Sequence, residues 1–497
     1  MTANLLSCNT SPLTVFVPTI DNPWDSQKVR HLHNRIGFGI ETSQIPNALS
    51  MTPSAYVDAI INAAMALAPT AEPAWAPLDP DDYAANGFTY GEDENNDLVD
   101  ETQYTFIKEL IDNGVRGRMT LFWHNHFVTI ANEYGFAGYA FRYFQALQRN
   151  CFGNFRDFIT EMGLDNAMLK FLNGFESTAG SPNENYAREL YELFALGEGN
   201  GYTEDDIVET SRALTGYNDY ANGDNSNIIF NVANFDAEDK TIFEQTGNWD
   251  YDDVHNILFD QKTLLIARYI CEKIYVNFVS PEVDDETIRP NIINPLADIF
   301  IANNFDITPV LRTLFKSEHF FDEKAENTII KSPLDLIIQF MTTTGFNFGT
   351  YDMIKEPIKN ISRLFDQDIM NPPTVFGWPG DRDWINSGTI TFRPAFLFDD
   401  MLSWALEQDE EQLRQFAIGV SGNSTDPDIV TKDIFEALMN EVPYTLDDFE
   451  TGIDVFKSSV PSNYFEDNIW TLSFPGVPLQ VCQLIKYIVF LPDYQLK

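Results

Sequence analysis

Along most of this chain, apolar residues recur at three- and four-residue spacing between a capping side chain and a glycine, the pattern of helices that bury one face. Asp25 or Ser26 opens the first such stretch. Val29, Leu32, His33 and Ile36 share its inner face, and Gly37 closes it. Helical patterns dominate residues 105–214. Ser181-Pro182-Asn183-Glu184 predicts a capping box, with Ser181 as the cap, Pro182 in the first position and Glu184 reaching back. That helix should run to about Leu196 and stop at Gly197. Thr203 starts another, which Gly216 ends. Helical spacing returns over 263–278, 291–303, 308–316, 332–344, 395–408 and 431–441. The run 479–490 fits a helix begun by Pro478 or a buried strand.

Other segments break the pattern. Residues 1–24, with Pro12, Pro18 and Pro23, read as an irregular arm. Residues 68–101 read as a long polar loop. It is no EF-hand, because Leu98 stands where the turn glycine is required. Residues 217–257, rich in Asn, Asp and Gly around the β-like run 227–230, read as a hairpin or loop excursion. Pro372, Pro373, Gly377, Pro379 and Gly380 exclude regular structure over 371–380. The expected fold is mainly α: a multi-helical body with a small β-hairpin excursion and long irregular loops. The expected division is an arm over 1–24, a main helical body over 25–400, and a helical part over 401–497 packed on the same body.

Charge narrows the partners. With 31 Lys and Arg against 75 Asp and Glu, the net charge is −44. A field of that sign repels nucleic-acid phosphates and anionic lipid, and favours solubility in salt. Acidic clusters at 93–97, 222–226 and 426–428 suit either loose Ca²⁺ binding or solvated surface. Cys8, Cys151, Cys271 and Cys482 have no zinc-ribbon or redox spacing, and Cys271 and Cys482 read as small buried hydrophobes. No apolar run reaches the length of about 18 residues that a spanning helix needs. The first residues show no basic, long-apolar signal-peptide pattern, and Leu5-Leu6-Ser7-Cys8 only faintly resembles a lipoprotein box. No dinucleotide fingerprint, P-loop, serine-hydrolase elbow or HExxH motif occurs.

Six blocks, in order, carry a resemblance: His31 to Gly39 (His-Leu-His-Asn-Arg-Ile-Gly-Phe-Gly), Phe122-Trp123-His124-Asn125-His126-Phe127, Asn183 to Phe194, Arg212-Ala213-Leu214-Thr215-Gly216, Lys331-Ser332-Pro333, and Asn371-Pro372-Pro373 through Ser387. Together they resemble the bacterial family named domain of unknown function 1800. The resemblance implies a helical, often exported or periplasmic protein, encoded beside an exported protein of sulfatase/alkaline-phosphatase-like fold that would be its partner. The family often has His-Asp after the hairpin region. Here that pair is Phe235-Asp236, so any role of that histidine does not carry over.

Four of the six histidines form two His-x-His pairs, His31/His33 and His124/His126. On a helix such positions point about 200° apart, so one metal ion cannot readily take both. The helical stripe from Met119 to Ile130 turns His126 inward and His124 away; likewise His33 turns inward and His31 lies beside Arg35. One reading makes these histidines hydrogen-bonded packing elements. The other gathers His33, His126, Glu189 and Asp236 around a divalent metal ion, with His124 and His31 as alternates and Arg35 and Arg188 as charge partners. Glu184, Arg188 and Glu192 share one face of their helix, an ion-pair ladder; alternatively Glu189 or Glu192 is a metal ligand or general base. Trp378 and Trp384, with Asn386, suit either ligand binding or plugging of the core. Two functions stay open: a non-catalytic envelope or extracellular protein working with a partner, or a metal-dependent hydrolase of an extracellular polymer.

Overall fold

The computed structural model describes residues 9–89, 91–222, 225–284, 286–439 and 445–497. Cys8 and its neighbours, Asp224 and Glu441 lie outside them. Helices dominate, and the strands form two small two-stranded antiparallel sheets, so the architecture is mainly α.

Local chemistry sets the helix starts. The Asp25 side chain accepts the Lys28 N–H and begins helix Ser26–Ile36, whose inner face carries Val29, Leu32 and Ile36. Thr203 and Asp206 close a capping box on helix Glu204–Ala213, and Ser332 and Asp335 close one on helix Pro333–Thr344. Helix Val477–Val489 settles the two readings of its segment, with Pro478 in its first turn.

Several expected boundaries move. The acidic stretch expected to end the long loop instead starts helix Glu92–Asp112: Glu92, Asp93 and Glu94 fill its first turn, where the helix dipole favours negative charge. Ser181 caps nothing. It pairs with Thr178 in an isolated bridge, and the helix begins only at Asn185, whose N–H donates to Oδ1 of Asn183. After Glu189 that helix widens into a π-helical stretch, Leu190–Ala195, before Gly197 leaves it at φ +92°. The chain around 217–257 makes two hairpins, not one. Strand Tyr217–Tyr220 pairs with Ile228–Phe230 around a bulge, and Lys240–Ile242 pairs with Gln245–Gly247. Asp250 and Asp253 then cap helix Tyr251–Phe278, which takes up residues expected to belong to the excursion and kinks at Lys262.

Aromatic side chains fill the centre. Trp123 is fully buried, stacks on Phe127 and Phe155, and meets Phe158 edge-on. Helices Gly114–His124, Phe155–Gly163 and Tyr251–Phe278 and the π-helical stretch bring their rings to this cluster. Helix Gly114–His124 therefore ends in the middle of the core, and the turn after His124 emerges beside it. Among the described residues no helix is long and apolar enough to cross a membrane.

Candidate functional site

The helix carrying the second His-x-His pair stops at His124, one turn earlier than the apolar stripe implies. Asn125 and His126 therefore lie in the turn beyond it. Both histidines are buried, so the expected contrast of one inward and one outward ring does not hold here.

Each ring has a determined role. Met370 N–H donates to His124 Nε2, so the proton sits on Nδ1, which donates to the Tyr143 hydroxyl; that hydroxyl in turn donates to Phe127 O. His126 Nε2 faces Phe194 O at 3.1 Å and must carry a proton, which leaves Nδ1 as its acceptor. The π-helical widening explains this contact: carbonyls of Leu193 and Phe194 are taken by the Tyr269 hydroxyl and by His126. Burial pushes both histidines down to about 3, and Lys273 adds to the effect at His126.

The turn also holds the Pro- and Gly-rich loop. Asn125 Oδ1 accepts Trp378 N–H at 2.7 Å, and the Trp378 ring meets His124 edge-on. Gly377, at φ +86°, passes so close that a Cβ would lie 2.3 Å from Asn125 Oδ1, so no other residue fits there without displacement. Loop and turn together wall an open cleft of about 340 Å³. Phe122, Phe376, Trp378 and Trp384 supply its aromatic surface, and Asn125, His126, Lys273, Asn277, Gln367 and Asp381 its polar one. At its floor Asp335 joins Arg118 and Lys497, all three buried. Burial alone would raise the Asp335 carboxyl, but the two cations override it and hold it well below the usual range. Burial, with Arg118 beside it, lowers Lys497 to about 7.

Three of the six sequence blocks thus converge here: residues 122–127, Ser332 from 331–333, and residues 375–384. A wider, more open trench of about 920 Å³ lies along Arg142, Arg149, Arg156 and His255, but none of those blocks reaches it.

Of the remaining sequence candidates, most have partners elsewhere. His31 donates to Phe320 O, and His33 bonds the Tyr56 hydroxyl and is lowered to about 4 by burial. Arg35 donates to Val279 O, Ala325 O and Thr328 Oγ1, fastening the 325–328 segment to the end of helix Tyr251–Phe278. Asp236 is held by Arg212 at 2.8 Å, which against partial burial lowers its carboxyl. Arg188 bridges Glu184, Glu192 and Glu204, the expected ladder with one further carboxylate. Half-buried Glu189 is raised to about 7 by burial and by Glu192. Asn386 accepts the N–H groups of Gly388 and Thr389 at the start of a helix and does not line the cleft. His33, His126, Glu189 and Asp236 are not drawn together. Among the described residues no group of three or more His, Cys, Asp or Glu is placed to hold a metal ion.

The sequence reading missed Asn125, Lys273, Gln367, Arg118, Asp335 and Lys497. Asn125 and Asp335 stood inside or beside noted blocks, while nothing local marks Lys273 or Gln367. No curated protein and no solved structure matches the chain. The family comparison agrees with the blocks that build the cleft: matched over residues 31–496, nearly its whole length, the chain belongs to the family described as protein of unknown function, DUF1800.

Proposed function

We propose that this is a binding protein whose ligand, a small molecule or the end of a larger one, enters the cleft between the 371–384 loop and the turn after His124. One observation carries this reading: sequence blocks from three distant parts of the chain meet at one concave surface with aromatic walls and a few fixed polar groups, the usual make-up of a ligand site. Following the family resemblance, the setting we propose is the bacterial envelope or exterior, with a sulfatase/alkaline-phosphatase-like partner. The test is a ligand screen read by tryptophan fluorescence, because Trp378 and Trp384 line the cleft. Val276 is an exposed wall residue, 37% accessible, so Val276→Trp should fill the cleft without unfolding the protein and abolish any signal. Binding that survives this substitution would move the site elsewhere.

A second reading, a metal-dependent hydrolase of an extracellular polymer, is favoured by Glu189, whose carboxyl is raised to about 7 and so suits a general base. It requires turnover of a polysaccharide or polyester panel with added divalent metal, lost in Glu189→Gln. Binding without turnover in that assay decides for the first reading.

A further inference from the structure

Resting on the cleft as the ligand site, we infer that the ligand presents an oxyanion (a carboxylate, sulfate, sulfonate or phosphate) on a flat apolar body, and that Lys273 is the cation that meets it.

Donors outnumber acceptors among the side-chain hydrogen-bonding groups left open in the cleft. Asn125 Oδ1 is taken by Trp378 N–H, and Gln367 Oε1 by Leu334 N–H at 2.9 Å. A backbone N–H can only donate, so each amide must present its oxygen there and keep its NH₂ for something else. Asn125 Nδ2, Gln367 Nε2, Trp384 Nε1 and Lys273 Nζ have no protein acceptor among the described residues, and all four residues line the cleft. Against these donors stand His126 Nδ1, an acceptor left by the bond of Nε2 to Phe194 O, the Asp381 carboxylate and the amide of Asn277, which can present either its oxygen or its NH₂. A ligand rich in acceptors satisfies the larger of the two sets.

Charge points the same way. Asp335 is paired with both Arg118 and Lys497, so the floor carboxylate is compensated and offers no free negative charge to a ligand. Lys273 adds a cation. It is accessible from the cleft yet crowded by protein, has no ion pair among the described residues, and lies over the Tyr269 ring at 5.3 Å. That crowding lowers its pKa, which an arriving anion would restore. Asp381, at the rim, is the other carboxylate on the lining. In a chain with 75 acidic and 31 basic residues, a lysine without an ion pair at an aromatic cleft selects for negative ligands against the field of the whole molecule.

Two fluorescent probes of similar shape separate charge from apolar fit: 8-anilinonaphthalene-1-sulfonate, which carries an oxyanion, and N-phenyl-1-naphthylamine, which does not. Lys273→Met should weaken the sulfonate probe about tenfold, the size of one lost charge-assisted hydrogen bond, and leave the neutral probe unchanged. Gln367→Glu, which replaces a donor by a carboxylate, should weaken the sulfonate probe further. Val276→Trp should exclude both probes. Competition by benzoate, benzenesulfonate and phenyl phosphate then ranks the three kinds of oxyanion. If Lys273→Met and Gln367→Glu treat the two probes alike while Val276→Trp still excludes both, the oxyanion inference falls and the cleft stands. If Val276→Trp leaves both bound, the cleft itself is not the site.

Discussion

Met370 donates its backbone N–H to Nε2 of His124 over 3.1 Å, and this bond fixes both the tautomer of a fully buried histidine and the position of the loop that walls the cleft. His124→Ala would orphan that N–H, remove the donor to Tyr143 and leave a ring-sized hole. The expected loss is roughly 3 kcal/mol or more in urea unfolding, together with faster amide exchange at Met370. Unchanged stability would show that the loop is held by other contacts.

Gly377 is the second tie. Gly377→Ala adds a methyl group against Asn125 at a left-handed backbone position. We expect a loss of about 2 kcal/mol, from left-handed strain plus displacement of Asn125, and weaker binding of either naphthyl probe. Full stability would mean that the loop can shift without consequence.

At the cleft floor, Asp335→Asn should cost about 3–5 kcal/mol, because Arg118 and Lys497 would remain buried without their shared carboxylate. Adding Lys497→Met should recover part of that loss, since one buried cation then disappears. If the two changes add, the three side chains do not act as a unit.

The helix starts allow a paired comparison. Thr203→Ala removes a capping-box side chain and should cost about 1 kcal/mol. Ser181→Ala, at a residue that caps no helix, should stay within about 0.5 kcal/mol. The reverse order would restore the helix start that the sequence alone suggests.

Buried histidines set the acid limit. Burial lowers His33 and His255 to about 4 and His124 and His126 to about 3. In the unfolded chain they titrate near 6.5, so they take up protons there before they do in the fold. The stability that neutral histidines contribute is complete above about pH 6.5 and is lost as pH falls towards 3. Asp165 and Asp368, raised by burial to about 6, oppose this in part. Melting temperature should fall between pH 6.5 and 4, with a shallower slope in His255→Asn. Identical slopes in the two proteins would mean that His255 is already charged in the fold.

Much of the helical framework is legible from spacing and caps: Asp25, Thr203, Gly197 and Pro478 each mark an end the structure has. The failures have physical causes. Ser181-Pro182-Asn183-Glu184 has the right letters for a cap, but the local bridge to Thr178 competes for the same backbone. The second hairpin turns on Phe243 and Glu244, both at positive φ, without the Asn or Gly that announces such a turn. Its strain is offset by burial of Phe243 against Tyr191 and by the bond of its N–H to Asp206. The stripe through His126 continues past the true helix end because the turn after His124 is as buried as the helix. Of the residues proposed for a site, His126, Trp378 and Trp384 reach the cleft. Lys273 and Gln367 could not be chosen from the sequence, since their roles depend on where Tyr269 and Leu334 come to lie.

The Asp335 triad also bears on the order in which the molecule assembles. Its two bonds join positions 217 and 162 residues apart, so it closes long loops of chain whose entropy is lost before any contact at the floor offsets it. Helices governed by local caps can form early, whereas this junction waits for three remote segments to arrive together. In refolding, helical signal should therefore return before the cleft can hold a probe. Binding competence then reports completion of the fold, a checkpoint that secondary structure alone would pass too soon.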